Sequence, residues 1–226
     1  TKIVVEAIKS KKFIISDIAK KPATRNPDAP FSTSTLQQTA SSIFGFGASR
    51  TMQIAQKLFQ GIEIDGETVG LITYMRTDST EISKEAIESY RTYLNNNFDS
   101  NYLPQEIRTY KSKKAKNAQE AHEGIRPTDI NLRPEDVSKF LDTDSLKLYK
   151  LIWKRALASQ MSSAIFERTA LEISSEDNSV KLRANGSIPK FDGFLNIYSE
   201  FKGKNEDSEK KNEDEESEDE GSLPNV

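Results

Sequence analysis

The segment Gly70-Leu71-Ile72-Thr73-Tyr74-Met75-Arg76-Thr77-Asp78-Ser79-Thr80 delivers a phenol, a guanidinium and a carboxylate at two-residue spacing. In an extended strand, positions i, i+2 and i+4 project to one face. Tyr74, Arg76 and Asp78 then stand side by side, with the hydroxyls of Thr77 and Ser79 nearby. These groups suit phosphate chemistry. A free phenol has a pKa of about 10, so roughly one in a thousand is ionised at neutral pH and a tyrosine nucleophile needs activation. A neighbouring arginine lowers the cost of phenolate and offers a planar donor fork to phosphate oxygens as charge builds on them. Attack by the Tyr74 oxygen on a phosphodiester would leave a covalent phosphotyrosine and a free hydroxyl on the other end. A Tyr-x-Arg alone describes equally well a strand end with a solvated arginine, and the longer string has to decide.

The string Leu71–Thr80 closely resembles the active-site tyrosine motif of the bacterial type IA DNA topoisomerase I family. Two further segments resemble the same family in the same order. Upstream stand Phe31-Ser32-Thr33-Ser34-Thr35-Leu36-Gln37-Gln38 and Arg50-Thr51-Met52-Gln53-Ile54-Ala55-Gln56-Lys57-Leu58; downstream stands Gln119-Glu120-Ala121-His122-Glu123-Gly124-Ile125-Arg126-Pro127-Thr128. Met75, after the tyrosine, favours the topoisomerase I branch. Thr39 and Ser49 depart from the pattern, outside the chemical core.

The resemblance implies transient single-strand cleavage of supercoiled DNA through a 5′-phosphotyrosine, then strand passage and religation without ATP. Tyr74 is then the nucleophile, and Arg76 holds the scissile phosphate. His122, which on composition alone reads as a surface or satisfied core histidine, becomes a phosphate donor or proton-transfer aid. Thr77, Asp78 and Ser79 are assigned to orienting DNA, Glu123 and Arg126 to a charged cluster with Arg126 as phosphate anchor, and Gln37, Arg50 and Lys57 to DNA or interdomain contacts. The family's Mg²⁺ is carried by acidic residues that precede this region. No such acidic cluster exists here outside the C-terminal tail, so the expected partners are single-stranded DNA and a missing N-terminal metal-binding domain, without which turnover should fail.

Composition agrees with this without deciding it. The formal net charge is -3, but residues 205–220 hold ten acids against two lysines, a balance of -8 that leaves +5 on the remainder. A mildly basic body suits a polyanion partner. Cysteine is absent and there is one histidine, so no disulfide framework, zinc cluster or His-rich metal site can form. No apolar run of about 18 residues or signal-peptide core appears, and no phosphate-binding Gly-rich loop ending in Gly-Lys-Ser/Thr. The expected setting is cytoplasmic, on chromosomal DNA.

The elements that must position the site can be traced by period and punctuation. Ile3-Val4-Val5 and Phe13-Ile14-Ile15 predict short strands, and the prolines at 22, 27 and 30 predict a linker over Lys20–Pro30. Ser34 and Ser49 are the predicted caps of two helices ended by Gly45 and Gly61. Asp65-Gly66 predicts a hairpin whose second strand feeds the tyrosine segment. Ser83 predicts an N-cap with an Ile82/Ile87 staple and a stripe through Tyr90 and Leu94. Pro134 predicts a helix start, and Leu146, Tyr149, Ile152, Trp153, Ala156 and Leu157 a long amphipathic helix. After Met161 the period drops to two through Thr169, Leu171 and Ile173, then Val180, Leu182 and Ala184.

Strands at both ends around a helical middle predict an α+β multidomain chain in which a helical domain is inserted into a β-rich one. The resemblance adds a helix-turn-helix-like core and an arched β segment. The predicted divisions are 1–33, first part of the β-rich arch; 34–162, the helical active-site tyrosine domain; 163–202, the return into the β-rich domain; and 203–226, acidic and disordered.

Two other readings compete. Tyrosine recombinases also combine a tyrosine, arginines and a histidine, but there the tyrosine comes last and the His-Arg spacing is shorter than His122-x-x-x-Arg126. A non-catalytic single-stranded DNA-binding module would instead use Tyr74 to stack on a base.

Overall fold

A computed structural model describes residues 8–110 and 122–201. The predicted strand at Ile3–Val5 and the acidic tail lie outside them. The described residues divide into two units: 8–26 with 162–193, and 27–110 and 122–161 with 194–201. Residues 27–161 thus interrupt the first unit in chain order, and the chain returns to the second unit after Gly193.

The first unit is a three-stranded antiparallel sheet of β1 (Phe13–Arg25), β4 (Ala164–Ser175) and β5 (Lys181–Phe191), in the order β1-β4-β5. The strand from Phe13 does not stop at Ile15. It runs to Arg25, through the stretch whose prolines predict a linker, and pairs with β4 as far as Arg25 opposite Ala164. Proline cannot donate to a ladder, so it is tolerated on an edge strand. Pro22 and Pro189 lie on the two outer strands of the three, and the central β4 has no proline. The turn from β4 to β5 passes through Asn178 in the left-handed region, which asparagine tolerates better than most residues.

The second unit is mostly helical. It contains α1 (Thr33–Phe44), α2 (Ala48–Gln60), the hairpin β2 (Ile62–Ile64) and β3 (Glu67–Val69), α3 (Lys84–Asn97), the single turn α4 (Pro134–Val137), α5 (Thr143–Ala158) and the short α6 (Leu195–Tyr198). Both predicted caps shift by two residues. Ser32 caps α1 rather than Ser34, because Thr35 can return a side-chain bond to the Ser32 N–H and complete a capping box. Gly47 precedes α2 with no side-chain cap at all, so Ser49 falls inside the first turn. Gly45 ends α1 in the left-handed conformation, and Asp65 and Gly66 both take positive φ, as a type I′ hairpin requires. Ser83 caps α3 as predicted.

The core of this unit gathers Leu36, Ala40, Leu58, Leu71, Ile72, Met75, Tyr90, Leu94, Ile125, Ile130, Leu148, Tyr149 and Ile152, all at 1% exposure or less. Burying each large side chain stabilises by about 1.5–3 kcal/mol. Two of the polar groups entering this core are satisfied by backbone carbonyls: Tyr149 Oη donates to Leu132 O at 2.6 Å and Trp153 Nε1 to Ile130 O at 2.9 Å. Arg155 of α5 fastens the incoming chain. Its Nε donates to Ala29 O at 2.7 Å, its Nη1 meets Asp28 Oδ2 at 2.7 Å, and its guanidinium lies 4.8 Å from the Phe31 ring.

Candidate active site

Residues 70–80 form no regular strand, yet they keep the exposure pattern of one. Tyr74, Arg76 and Asp78 are exposed; Met75, Thr77 and Ser79 are buried. The expected ladder is replaced by single bridges and side-chain bonds. Ile72 bridges Pro127 and Phe31 bridges Ile125, so all three sequence motifs meet here.

The anchoring is dense. Leu71 N donates to Leu58 O at 2.8 Å, and Thr128 N to Leu71 O at 3.1 Å. Thr73 N donates to Arg126 O at 2.9 Å, while Thr73 Oγ1 accepts from Arg126 N at 3.1 Å and donates to Gly124 O at 3.0 Å. On the far side of the tyrosine, Thr33 N donates to Thr77 O at 2.8 Å. The Thr33 hydroxyl donates to Met75 O at 2.7 Å and accepts from Thr77 N at 2.8 Å. The backbone is therefore held on both sides of Tyr74. Gly70 is dictated by the same packing, since a Cβ there would stand 2.8 Å from the Phe59 carbonyl oxygen.

Tyr74 is 37% exposed and lies between two rings. Phe59 meets it edge-on at 5.3 Å between centroids, and His122 approaches at 5.4 Å with a 56° tilt. Arg76 and Asp78 make no ion pair with the described residues, so one free guanidinium sits two residues from the phenol. Thr77 and Ser79 turn inward instead: Ser79 N donates to Thr77 Oγ1 at 3.0 Å and Glu81 N to Ser79 Oγ at 3.1 Å. Their hydroxyls hold the loop that follows the tyrosine.

Glu123 and Arg126 pair with each other, Arg126 Nε to Glu123 Oε2 at 2.5 Å, with the arginine side chain only 14% exposed. A further bond from Arg126 Nη1 reaches Pro127 O at 3.0 Å. Burial works against the Arg126 charge, but the Glu123 carboxylate more than compensates and its pKa is raised. Beside them the Tyr90 phenol is 1% exposed, its oxygen makes no hydrogen bond of normal geometry, and burial raises its pKa. Arg50 and Lys57 are drawn elsewhere, to Asp144 and Asp142 at the start of α5, the latter at 2.7 Å. Gln37 is half-buried on α1.

Sequence reasoning missed Phe59 and Thr33 as parts of the site. Phe59 follows Leu58 on a helix face that reads as core, and only the fold shows that its ring walls the phenol. Thr33 lies within a quoted motif, but nothing in its spacing signals a bond 42 residues away.

The match to known proteins agrees with this geometry. The DNA topoisomerase family model matches residues 1–225. The chain belongs to the bacterial type IA DNA topoisomerases. It is 49% identical over 199 residues to the DNA topoisomerase 1 of Rickettsia bellii, covering 88% of this chain and 25% of that protein. Against the DNA topoisomerase 1 of Campylobacter jejuni it is 45% identical over 199 residues, covering 88% and 28%. The structure of full-length topoisomerase I from Thermotoga maritima superimposes with a TM-score of 0.77 at 35% identity, over 88% of this chain and 32% of that one. The chain thus spans about a quarter of the length of these topoisomerase 1 relatives. Among the described residues no three His, Asp or Glu side chains gather in a group that could hold a metal ion. No described helix is long and apolar enough to cross a membrane.

Proposed function

We propose that this chain is the part of a type IA DNA topoisomerase that carries the nucleophile. The Tyr74 oxygen attacks a DNA phosphodiester, the bond from phosphorus to the 3′ oxygen breaks, and the departing oxygen takes up a proton as a free 3′ hydroxyl. The 5′ phosphate stays on the tyrosine. Attack by that hydroxyl on the phosphotyrosine reverses the step after strand passage, and because the phosphodiester energy is conserved no ATP is consumed.

The observation that carries this reading is the partly exposed Tyr74 ring between Phe59 and His122, two residues from an Arg76 guanidinium that has no ion-pair partner among the described residues. In this reading Arg76 clamps the scissile phosphate and His122 donates to it or moves a proton. Asp78 orients the strand, and the inward Thr77 and Ser79 shape the loop that presents it. Single-stranded DNA is the substrate, the magnesium ligands belong to a domain outside this chain, and the three-stranded sheet is part of an arch that carries the helical unit with its helix-turn-helix-like core.

Tyr74→Phe in a complete enzyme containing this segment tests the assignment, since only the nucleophilic oxygen is removed. Covalent DNA adducts on denaturing gels should vanish while thermal stability is kept. An adduct that persists would end the assignment. The end of the DNA that remains attached separates this chemistry from that of a tyrosine recombinase.

A further inference from the structure

The Glu123–Arg126 pair stands between two elements that the chemistry needs in register. Through its backbone, Arg126 is tied to Thr73, the neighbour of Tyr74, by the two bonds of 2.9 and 3.1 Å. Through its guanidinium it is tied at 2.5 Å to Glu123, the neighbour of His122. A third bond, from Thr73 Oγ1 to Gly124 O at 3.0 Å, closes the same turn. Gly124 fits there tightly, a Cβ on it lying 3.3 Å from both Pro30 and Thr80. The guanidinium is also engaged by Pro127 O and mostly covered, so an approaching phosphate would have to compete with an existing carboxylate.

We infer that Glu123 and Arg126 are positioning residues: their ion pair sets the distance between the Tyr74 and His122 rings and does not contact DNA. This rests on the proposed role of Tyr74 and His122. A planar fork is what the place requires, because one guanidinium serves both a carboxylate and a carbonyl at fixed angles, and an ammonium cannot hold that geometry. A DNA contact and a positioning pair make opposite predictions for Glu123→Gln. Freeing a phosphate-binding arginine from its carboxylate would tighten DNA binding; loosening a brace would leave binding alone and slow the chemistry.

The test uses Glu123→Gln and Arg126→Lys, each read in two ways. In the chain itself, His122 is the one histidine in the sequence, so its ring protons are unambiguous by NMR and their contact with the Tyr74 ring is directly visible. In a complete enzyme, single-turnover cleavage and single-strand affinity are measured over a range of salt. Both variants should lose the His122–Tyr74 ring contact and cleave at least tenfold more slowly. Affinity should stay within twofold and the salt dependence unchanged. Weaker binding of Arg126→Lys, tighter binding of Glu123→Gln, or a salt slope altered by about 0.7, the value of one single-strand phosphate contact, would make Arg126 a DNA ligand and overturn the inference. Full cleavage activity, or a retained ring contact, in both variants would overturn it as well. If Arg126→Lys does not fold, Glu123→Gln alone decides by the same readings. A wild-type enzyme that forms no adduct through Tyr74 would instead remove the proposed function, and the NMR contact would still judge the brace.

Discussion

Phe59 packs on the Tyr74 ring and Arg76 lies two residues along the chain; in the proposed reaction they serve different atoms, and their variants should separate accordingly. The Phe59 ring contributes an edge contact on a partly exposed tyrosine, and such aromatic pairs are worth about 0.5–1.5 kcal/mol. Phe59→Leu should therefore slow single-turnover cleavage a few-fold and leave DNA affinity unchanged; an unchanged rate would show that the ring merely borders the site. Arg76 has more to lose. Its guanidinium is unpaired among the described residues, and its contribution should grow as charge redistributes over the phosphoryl oxygens. Arg76→Lys keeps the charge without the fork, so both it and Arg76→Ala should lose far more cleavage than affinity. Equal losses in the two measurements would demote Arg76 to a general DNA contact. At this scale the sequence was a good guide to which residues lie on the surface, because alternation along Tyr74, Arg76 and Asp78 survives without a strand. It was a poor guide to Thr77 and Ser79. Hydroxyls serve backbone and phosphate equally well, and only the position of the loop after Thr77 reveals that Ser79 N and Glu81 N claim them.

Elements are held to the tyrosine segment by backbone and side-chain bonds on both sides of Tyr74. Thr33, the first residue of α1, supplies a hydroxyl that both donates to Met75 O and accepts from Thr77 N. Thr33→Val keeps the shape and removes both bonds, leaving a carbonyl and an N–H unpaired at about 1–3 kcal/mol each. A destabilisation of about 2 kcal/mol or more should appear in urea denaturation; a loss under 0.5 kcal/mol would mean that the segment is held by backbone contacts alone. A second joint lies where α2 meets the start of α5. Asp142 caps α5 through Ser145 N at 2.8 Å and pairs with Lys57. The Lys57 ammonium first, then the Ser145 N–H, hold its carboxylate well below the ordinary range. A depressed pKa in the folded state means that this contribution is complete above the unfolded value of about 3.9 and disappears as the pH falls further. Asp142→Asn keeps a competent cap but no longer titrates, so its stability should fall less steeply than that of the parent below pH 4. With the side chains of both partners about half exposed, the loss at neutral pH should stay below about 1 kcal/mol. Parallel acid titrations of the two proteins, followed by circular dichroism, would show this. The periodic helices and the Asp65-Gly66 hairpin were legible because their signals are local. The true cap of α1 and the reach of β1 past Pro22 were not, because they depend on Thr35 answering Ser32 and on Pro22 occupying an outer strand.

Across the molecule, residues 27–161 interrupt the sheet-bearing unit in chain order, and short β-branched or aromatic runs before a helical stretch, with a period of two after it, pointed to that order. Charge is distributed less evenly than the net value of -3 suggests. The ten acids within residues 205–220 mask a positive balance on everything else. If phosphate contacts drive binding, affinity for single-stranded DNA must fall as salt rises, because each neutralised phosphate releases condensed counterions with a slope near 0.7 per contact. Deleting residues 205–226 removes like charge to DNA, so it should leave affinity unchanged or raise it, most visibly at low salt where screening is weakest. Fluorescence anisotropy titrations of the intact chain and the shortened one, at several salt concentrations, measure both effects. An affinity independent of salt would place the binding energy in base stacking rather than in phosphates. A loss of affinity on deletion would mean that the acidic segment supports the binding surface instead of opposing the DNA.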